Sequence, residues 1–306
     1  MDVFAGLDLG GSSLKFGFGN KGTGFLSFKR RKHGNSGREE IYDLLKYAVT
    51  DILENCSGKY SLRAIALGSP GNIQNTTGEV LYNSPNLKNW VGANPVRFLS
   101  QKFNLPVLIE NDANLMTFGE SQAKSRDKVS LLGITIGTGI GSGFVLNNSI
   151  YHGDSYAALE LGHTIVVPGG KKCVCGKLGC LEAYTAIPAL EKEAESVTGE
   201  KRNIAQMLKI YQHNNDIARI INNAYDKIGL VIANAITVLD PKYVIIGGGV
   251  TECSAFDICP LSDSISKYLN SYQNGQIHIE KAVLKNRAGV WGAITLAEDS
   301  LTKKLF

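Results

Sequence analysis

His163, Cys173, Cys175 and Cys180 stand in the pattern H-x9-C-x-C-x4-C. Three thiolates and one imidazole suit a closed tetrahedral zinc site of the structural kind. Gly176 and Gly179 permit the tight loop that such ligation needs. The same residues could instead be free thiols or a Cys175–Cys180 disulfide, although nothing in the sequence indicates export to an oxidising compartment. Glu160 and Glu182 bracket the cluster. A metal-stiffened loop could aim both carboxylates at a polyhydroxy ligand, or they could be ordinary exposed glutamates. His163 would place one ring nitrogen on the metal and keep its other N–H as a donor.

Other residues point to phosphate chemistry. Asp8-Leu9-Gly10-Gly11-Ser12, with Lys15 beyond it, is a glycine turn after an apolar run. Backbone N–H groups in such a turn can converge on an anion. Gly137 to Gly143 forms a second glycine-rich turn, and Ile246-Gly247-Gly248-Gly249 a third, where an adenosine moiety would fit. Neither of the first two is a Walker A or Rossmann motif, since each runs on into a strand-like segment rather than a helix. Each alone could be a plain hairpin or a helix-entry turn. Asp112 ends an apolar run inside Glu110-Asn111-Asp112-Ala113-Asn114. It could accept a hydroxyl proton in phosphoryl transfer, or cap the helix expected over 113–122.

The elements that would carry these groups alternate. Strands are expected at 3–9, 14–18, 62–67, 106–109, 129–136, 144–146 and 243–246. Helices are expected around Ile41 to Leu53, over 95–102, over 217–239 before Pro241, and over 288–299. That order predicts an α/β architecture. DLGGSSLKFGF and TIGTGIGSGFVL look like two copies of one strand–turn–strand device, which predicts two α/β halves across a cleft. The basic run Lys21 to His33 reads as a solvated hairpin, and Cys56, Cys253 and Cys259 as structural residues.

Composition narrows the classes. The chain has 306 residues, 43% of them hydrophobic and 20% charged, enough apolar material for about two domains. A net charge of +4, with no long basic block, offers no nucleic-acid footprint. No apolar run is long enough for a membrane span, and the N-terminus MDVFAGLDLGG lacks the pattern of a secretory signal. Glycine is enriched, at 34 of 306 or about 11% against a usual 7%, in clusters beside apolar runs.

Taken together, the motifs resemble the ROK family of sugar kinases and sugar-responsive repressors, within the actin/hexokinase-like ATPase superfamily. The stretches are D-L-G-G-S-S-L-K at 8–15, S-P-G at 69–71, E-N-D-A-N at 110–114 and G-T-G-I-G-S-G at 137–143. E-L-G-H at 160–163, C-V-C-G-K-L-G-C-L-E at 173–182, D-P-K-Y-V-I-I-G-G-G at 240–249 and the helix near Gly292 complete the set. They run in the family's order over nearly the whole chain.

The resemblance implies two ribonuclease-H-like domains flanking a cleft, one from 1–117 plus 289–306 and the other from 118–288. It implies transfer of the ATP γ-phosphoryl to a hexose hydroxyl, with Mg²⁺, and O6 of glucose as the default acceptor. N-acetylmannosamine, N-acetylglucosamine, allose and fructose are the alternatives. Asp112 falls on the family's base. Gly71, Asn72, Asn111, Glu160, His163 and Glu182 fall on sugar contacts. Asp8, Gly10, Gly11, Ser12, Lys15, Thr138, Gly139, Gly247 and Gly248 fall on the ATP site, and His163, Cys173, Cys175 and Cys180 on structural zinc.

Ser12 stands where threonine is commoner, and Ser142 replaces a frequent glycine, which is expected to crowd the second turn. Asn72 lies where the family varies with substrate. A repressor would need a DNA-binding domain ahead of Asp8, and seven residues leave no room for one. The expectation is therefore a cytoplasmic, homodimeric enzyme acting on small molecules, with no nucleic-acid or membrane partner; a non-catalytic sugar sensor is the reading from a different class.

Overall fold

The computed structural model describes residues 1–34, 36–82, 87–126 and 128–302. The chain divides into two compact units, Met1–Ser125 with His152–Ala158 and Arg287–Phe306, and Arg126–Tyr151 with Leu159–Asn286. The division falls at Ser125/Arg126 rather than at 117/118, because residue 117 lies inside one continuous helix. Residues 303–306 of the expected first domain lie outside the described residues.

The first unit is built from β1 (Asp2–Leu9), β2 (Ser13–Asn20), β3 (Gly24–Lys32), α1 (Arg38–Cys56), β4 (Ser61–Ser69), β5 (Asn72–Gln74), β6 (Glu79–Tyr82), α2 (Pro95–Phe103), β7 (Val107–Asn111) and α3 (Asp112–Ala123). The terminal helix Ala288–Thr302 completes it. Its sheet runs β3-β2-β1-β4-β7, an antiparallel meander followed by two parallel strands. The basic run spans the β2–β3 turn and the edge strand β3, with Lys29 paired to Asp51 and Arg31 over the Tyr47 ring. Charged side chains on an edge strand discourage pairing with another chain.

Strand alternation sorts the residues of this sheet by size. Val3, Ala5, Leu7 and Leu9 of β1, with Ile65 and Leu67 of β4, pack with Ile41, Leu45 and Ile52 of α1 and Leu99 of α2. On the other face Phe4, Ala64 and Ala66 meet Leu115 of α3 and Val290, Ala293 and Ile294 of the terminal helix. Gly6 belongs to this second set: a Cβ there would sit 2.3 Å from Val290 O. Small side chains let both helices press onto the strands, and Asp8 shares their face two residues beyond Gly6.

The second unit repeats the plan with β8 (Leu131–Ile136), β9 (Ile140–Leu146), β10 (Ser149–Ile150), α4 (Glu182–Thr185), α5 (Ile187–Thr198), α6 (Ile204–Ile210), α7 (Asn215–Leu239), β11 (Tyr243–Gly247), α8 (Cys259–Ser266), α9 (Ser271–Asn274) and β12 (His278–Lys281). Its sheet order is β10-β9-β8-β11-β12, again with an antiparallel meander and two parallel strands. Leu132, Ile134 and Ile136 pack against the apolar stripe Ile217, Ile221, Ile228 and Ile232 of α7. That helix stops at Asp240, which turns left-handed (φ 46°) before Pro241. The second glycine turn is shorter than expected. It closes at Gly137–Gly139, and Gly141, Ser142 and Gly143 lie in β9 paired with β8. Among the described residues no helix is long and apolar enough to cross a membrane.

In the first unit α3 and the terminal helix meet backbone to backbone. A Cβ on Gly292 would lie 2.0 Å from Leu115 O, and one on Gly119 2.2 Å from Ala288 O. Neither backbone can retreat without moving a packed helix. Gly292→Ala is therefore expected to destabilise the protein by about 1–3 kcal/mol, the usual cost of overpacking. Gly34→Ala, with nothing within 4 Å of the added carbon, serves as the control. Urea denaturation compares the two; equal midpoints would show that the helix contact tolerates a methyl group.

Candidate functional site

In the first unit the chemistry gathers where β7 hands over to α3. Asn111 caps the helix, its Oδ1 accepting from Ala113 N at 2.9 Å and Asn114 N at 3.1 Å. The expected cap, Asp112, is instead the first helical residue. Capping by its neighbour leaves the Asp112 carboxylate beside the positive end of the helix, where Ala113 N donates to Oδ1 at 2.9 Å. Burial nevertheless pushes Asp112 up to about 6, and the nearby Asp8 carboxylate adds to the rise. The Ala113 N–H and the Lys15 ammonium oppose it without cancelling it. A carboxylate with that proton affinity is ionised at neutral pH yet basic enough to take a hydroxyl proton.

Asp8 and Lys15 face each other across the β1–β2 ladder, with Nζ donating to Oδ2 at 2.8 Å. The Asp8 charge raises the Lys15 pKa against the opposing cost of burial. Lys15 thus holds Asp8 within the protein. Between them the glycine turn closes by Gly10 N donating to Ser13 O at 3.0 Å. Its rim is fixed from β3 and the residue after it: Arg30 Nε donates to Ser13 Oγ at 3.1 Å, and His33 Nε2 to Gly10 O at 2.9 Å. Gly10 and Gly11 are half-buried and Ser12 is exposed.

Gly71 follows β4 with a left-handed φ of 99°, and its carbonyl accepts from Asn111 Nδ2 at 3.1 Å. Asn111 therefore spends its carbonyl oxygen and one amide hydrogen inside the protein, and one amide hydrogen remains for a ligand. Asn72 is buried and donates to Tyr156 O at 3.2 Å. Glu110 organises this whole corner. Its Oε1 accepts from Asn111 N at 2.7 Å and Asn114 Nδ2 at 2.9 Å, and its Oε2 from Asn75 Nδ2 at 2.8 Å and His152 Nε2 at 2.6 Å.

The second unit gathers the remaining residues. Glu182 begins α4 and accepts from Ile140 N at 2.9 Å through Oε2, which would also lie 2.5 Å from a Cβ on residue 139. Only glycine leaves room for that carboxylate. One oxygen of Glu182 thus braces the second turn, and the other keeps its acceptor capacity. Thr138 is exposed at the turn's tip, and Thr135 Oγ1 accepts from Gly141 N at 3.1 Å. Ser142 does not crowd the turn as expected. Its hydroxyl donates to Leu159 O and accepts from Leu161 N at 3.3 Å, tying β9 to the segment that carries Glu160. Gly248 needs φ 86°, and a Cβ there would meet Ile136 N at 2.6 Å.

Donor atoms of His163, Cys173, Cys175 and Cys180 all lie within 4.8 Å of one another. Cys173 Sγ is 3.6 Å from His163 Nδ1, and Cys175 Sγ is 3.6 Å from Cys180 Sγ. A zinc–sulfur bond of about 2.3 Å gives tetrahedron edges of about 3.8 Å, so the donor set fits the ion. The same separation is far beyond a disulfide of about 2.05 Å. Burial pushes the Cys180 thiol up to about 12, with Cys175 and Cys173 adding to the rise, so a cation is what would let these thiols ionise together. Gly179 at φ 85° lets the loop pass Val167 O, which a Cβ would approach to 1.8 Å. With Nδ1 turned to the thiols, His163 Nε2 lies 4.0 Å from Glu160 Oε2. Of the other cysteines Cys56 is buried, Cys253 half-buried and Cys259 exposed.

Sequence reasoning missed Glu110, Asn75 and His152 as parts of the site. Glu110 carried a signal, an acid at the end of the apolar run Val107-Leu108-Ile109. Its partner His152 lies 42 residues away, with no local pattern to announce it.

Two units of the ribonuclease-H-like plan, each closing its first hairpin on a glycine turn, define an actin/hexokinase-like α/β protein. Residues 4–300 match the ROK family, and the chain belongs to it. A glucokinase of Halalkalibacterium halodurans is 30% identical over 98% of this chain and 97% of its own length. A ROK family glucokinase of Streptomyces griseus, solved with glucose and AMPPNP, superposes with a TM-score of 0.84 at 26% identity, over 97% of this chain and 99% of that one. A xylose repressor of Caldicellulosiruptor bescii is 30% identical over 84% of this chain and 67% of its own length.

The thiol cluster makes a direct prediction. The reduced, metal-stripped protein is expected to bind one Zn²⁺ per chain and to melt at higher temperature when it does. Cys175→Ser, which leaves three of the four ligands, is expected to weaken both effects. Calorimetric titration checks this; no binding at micromolar zinc would rule the cluster out as a metal site.

Proposed function

We propose that the chain is an ATP-dependent sugar kinase that moves the γ-phosphoryl group to a hexose hydroxyl, with O6 of glucose as the first acceptor to test. The observation that carries this reading is the Asp112 carboxylate, raised to about 6 at a helix start and next to the Asp8–Lys15 pair. The glucose and AMPPNP bound to the Streptomyces griseus relative support the same pair of substrates.

In this mechanism Asp112 orients the acceptor hydroxyl and takes its proton as the oxygen attacks phosphorus in line. Gly10, Gly11 and Ser12 supply backbone donors to the phosphates, and Thr138 with Gly139 supplies a second set. Gly247 and Gly248 are the residues that would lie against the adenosine. Mg²⁺, when bound with ATP, supplies charge neutralisation at the phosphate oxygens, and Asp8 is the acidic residue placed to receive it. Glu160, His163 and Glu182 are proposed to accept and donate hydrogen bonds to sugar hydroxyls, and Gly71, Asn72 and Asn111 are proposed as further sugar contacts. His163, Cys173, Cys175 and Cys180 would hold a structural zinc ion, which would stiffen the loop on which His163 sits. N-acetylmannosamine, N-acetylglucosamine, allose and fructose are the acceptors to set beside glucose.

The xylose-repressor match favours a second reading, a sugar-binding regulator without turnover. Its discriminating feature is catalysis, because a sensor needs the sugar contacts and has no use for a base with a raised pKa.

ADP release from MgATP across hexoses and N-acetylhexosamines tests both. Sugar-dependent turnover is expected, rising with pH through about 6 as Asp112 loses its proton. Asp112→Ala is expected to lower kcat by about 10²–10⁴-fold, with sugar binding weakened and retained. Sugar binding by wild type without any turnover would support the regulator. Near-normal turnover in Asp112→Ala would remove Asp112 from its role.

A further inference from the structure

Glu110 is 2% exposed and sits one residue before Asn111 and two before Asp112. A buried carboxylate needs either a proton or compensation. Four groups donate to it, and three of them, Asn75, Asn111 N and Asn114, are uncharged amides. The fourth, His152 Nε2 at 2.6 Å, is the one donor of the set able to carry positive charge. Structure elsewhere gives way to keep this arrangement. Asn75 Nδ2 serves both Ile109 O and Glu110 Oε2 at 2.8 Å, and its own Oδ1 is buried without a hydrogen-bond partner. Turning that amide over would satisfy neither acceptor, so one orphaned oxygen is the lesser loss.

The segment that supplies His152 is held to the first unit at its other end as well. Asn72 Nδ2 donates to Tyr156 O, Tyr156 Oη lies 3.4 Å from Thr76 Oγ1, and Tyr156 takes a left-handed φ of 57°. Among the described residues, the titratable groups recorded against His152 are the Glu110 carboxylate, 2.6 Å away, and the Tyr156 ring, 6.2 Å away.

From this geometry we infer that His152 and Glu110 act as positioning residues for the β7–α3 junction: the protonated imidazole fixes the buried carboxylate, and the carboxylate fixes the backbone and cap that aim Asp112. The inference rests on the kinase reading for its effect on rate, and on the hydrogen bonds alone for its effect on order.

The hydrogen bond to Glu110, and then its charge, raise the His152 pKa above the ordinary 6.5 against the opposing cost of burial. The charged pair is complete below that ordinary value and is lost as pH climbs through the raised one. Neutral imidazole can still donate from Nε2, but it leaves the Glu110 charge uncompensated. The kcat profile should therefore have two limbs, rising through about 6 with Asp112 and falling on the alkaline side with His152.

His152→Gln keeps an amide donor and removes the charge. It is expected to lower kcat about tenfold through misplacement of the base, to abolish the alkaline limb, and to leave the acid limb in place. An unchanged alkaline limb in His152→Gln would overturn the inference. A second readout needs no turnover: hydrogen exchange at the amides of Asn111, Ala113 and Asn114 in the full-length wild type. Their protection is expected to fall, once the ordinary base catalysis of exchange is removed, as His152 titrates, and to be low at all pH values in His152→Gln. Protection independent of pH in wild type would overturn the inference even if kinase activity were present. Absence of turnover combined with pH-dependent protection would overturn the kinase reading and leave the positioning pair standing.

Discussion

Backbone-to-backbone contact between α3 and the terminal helix is the constraint on which the rest of the first unit depends. Gly119 and Gly292 allow it, and Gly6, Ala64 and Ala66 give the two helices a shallow sheet face to lie on. Because the helices lie so low, two helix starts are brought to the strand ends. A Cβ on Gly289 would lie 2.7 Å from Asp8 Cγ, and one on Gly68 3.6 Å from Asp112 Cα. Two acids thus sit together beside helix N-termini, with Lys15 as their shared cation. Repulsion between Asp8 and Asp112, together with burial, makes Asp112 a stronger base than a solvated aspartate.

The two units use one topology and diverge at matching positions. At the end of its first strand the first unit has Asp8, opposite Lys15, where the second has Thr135, opposite Gly141. The turns after these strands are Gly10-Gly11-Ser12 and Gly137-Thr138-Gly139. After the parallel strand beside it, the first unit has Ser69-Pro70-Gly71, bonded to Asn111, and the second has the Gly247–Gly249 run packed on Ile136. An ionised pair in one unit and neutral hydroxyl and backbone groups in the other cannot do the same work.

Much of this was legible in the sequence because it is local. Short apolar runs ending at glycine turns marked β1 and β4, helical spacing marked α1 and α7, and the paired glycine turns announced the repeated hairpin. The H-x9-C-x-C-x4-C spacing is likewise local, and its four donors do converge. Illegible were the groups joined only by tertiary structure. Nothing near Glu110 tells that His152 will meet it, and nothing near Glu182 tells that its carboxylate will brace the turn at Ile140. Ser142 misled because a residue type was judged by the space it fills, whereas its hydroxyl turned out to be a tie to Leu159 and Leu161.

That tie shows how the second unit makes one object of three chain segments. Ser142 fixes Leu159 and Leu161 on either side of Glu160. His163 comes next on the same short helical turn and leads into the thiol cluster. Cys180 closes the cluster two residues before Glu182, and Glu182 returns to the turn through Ile140 N. The path is closed: from β9 through Ser142 to the 159–163 segment, across the metal donors to 180, and back to the start of β9. A metal in that loop would set the spacing of Glu160, His163 and Glu182 at once, since each is within three residues of a ligand or is one. Side chains ordered beforehand lose less conformational freedom on meeting a ligand. Order built beforehand by one ion would be a physical reason for metal donors to stand next to a polar surface rather than in a core.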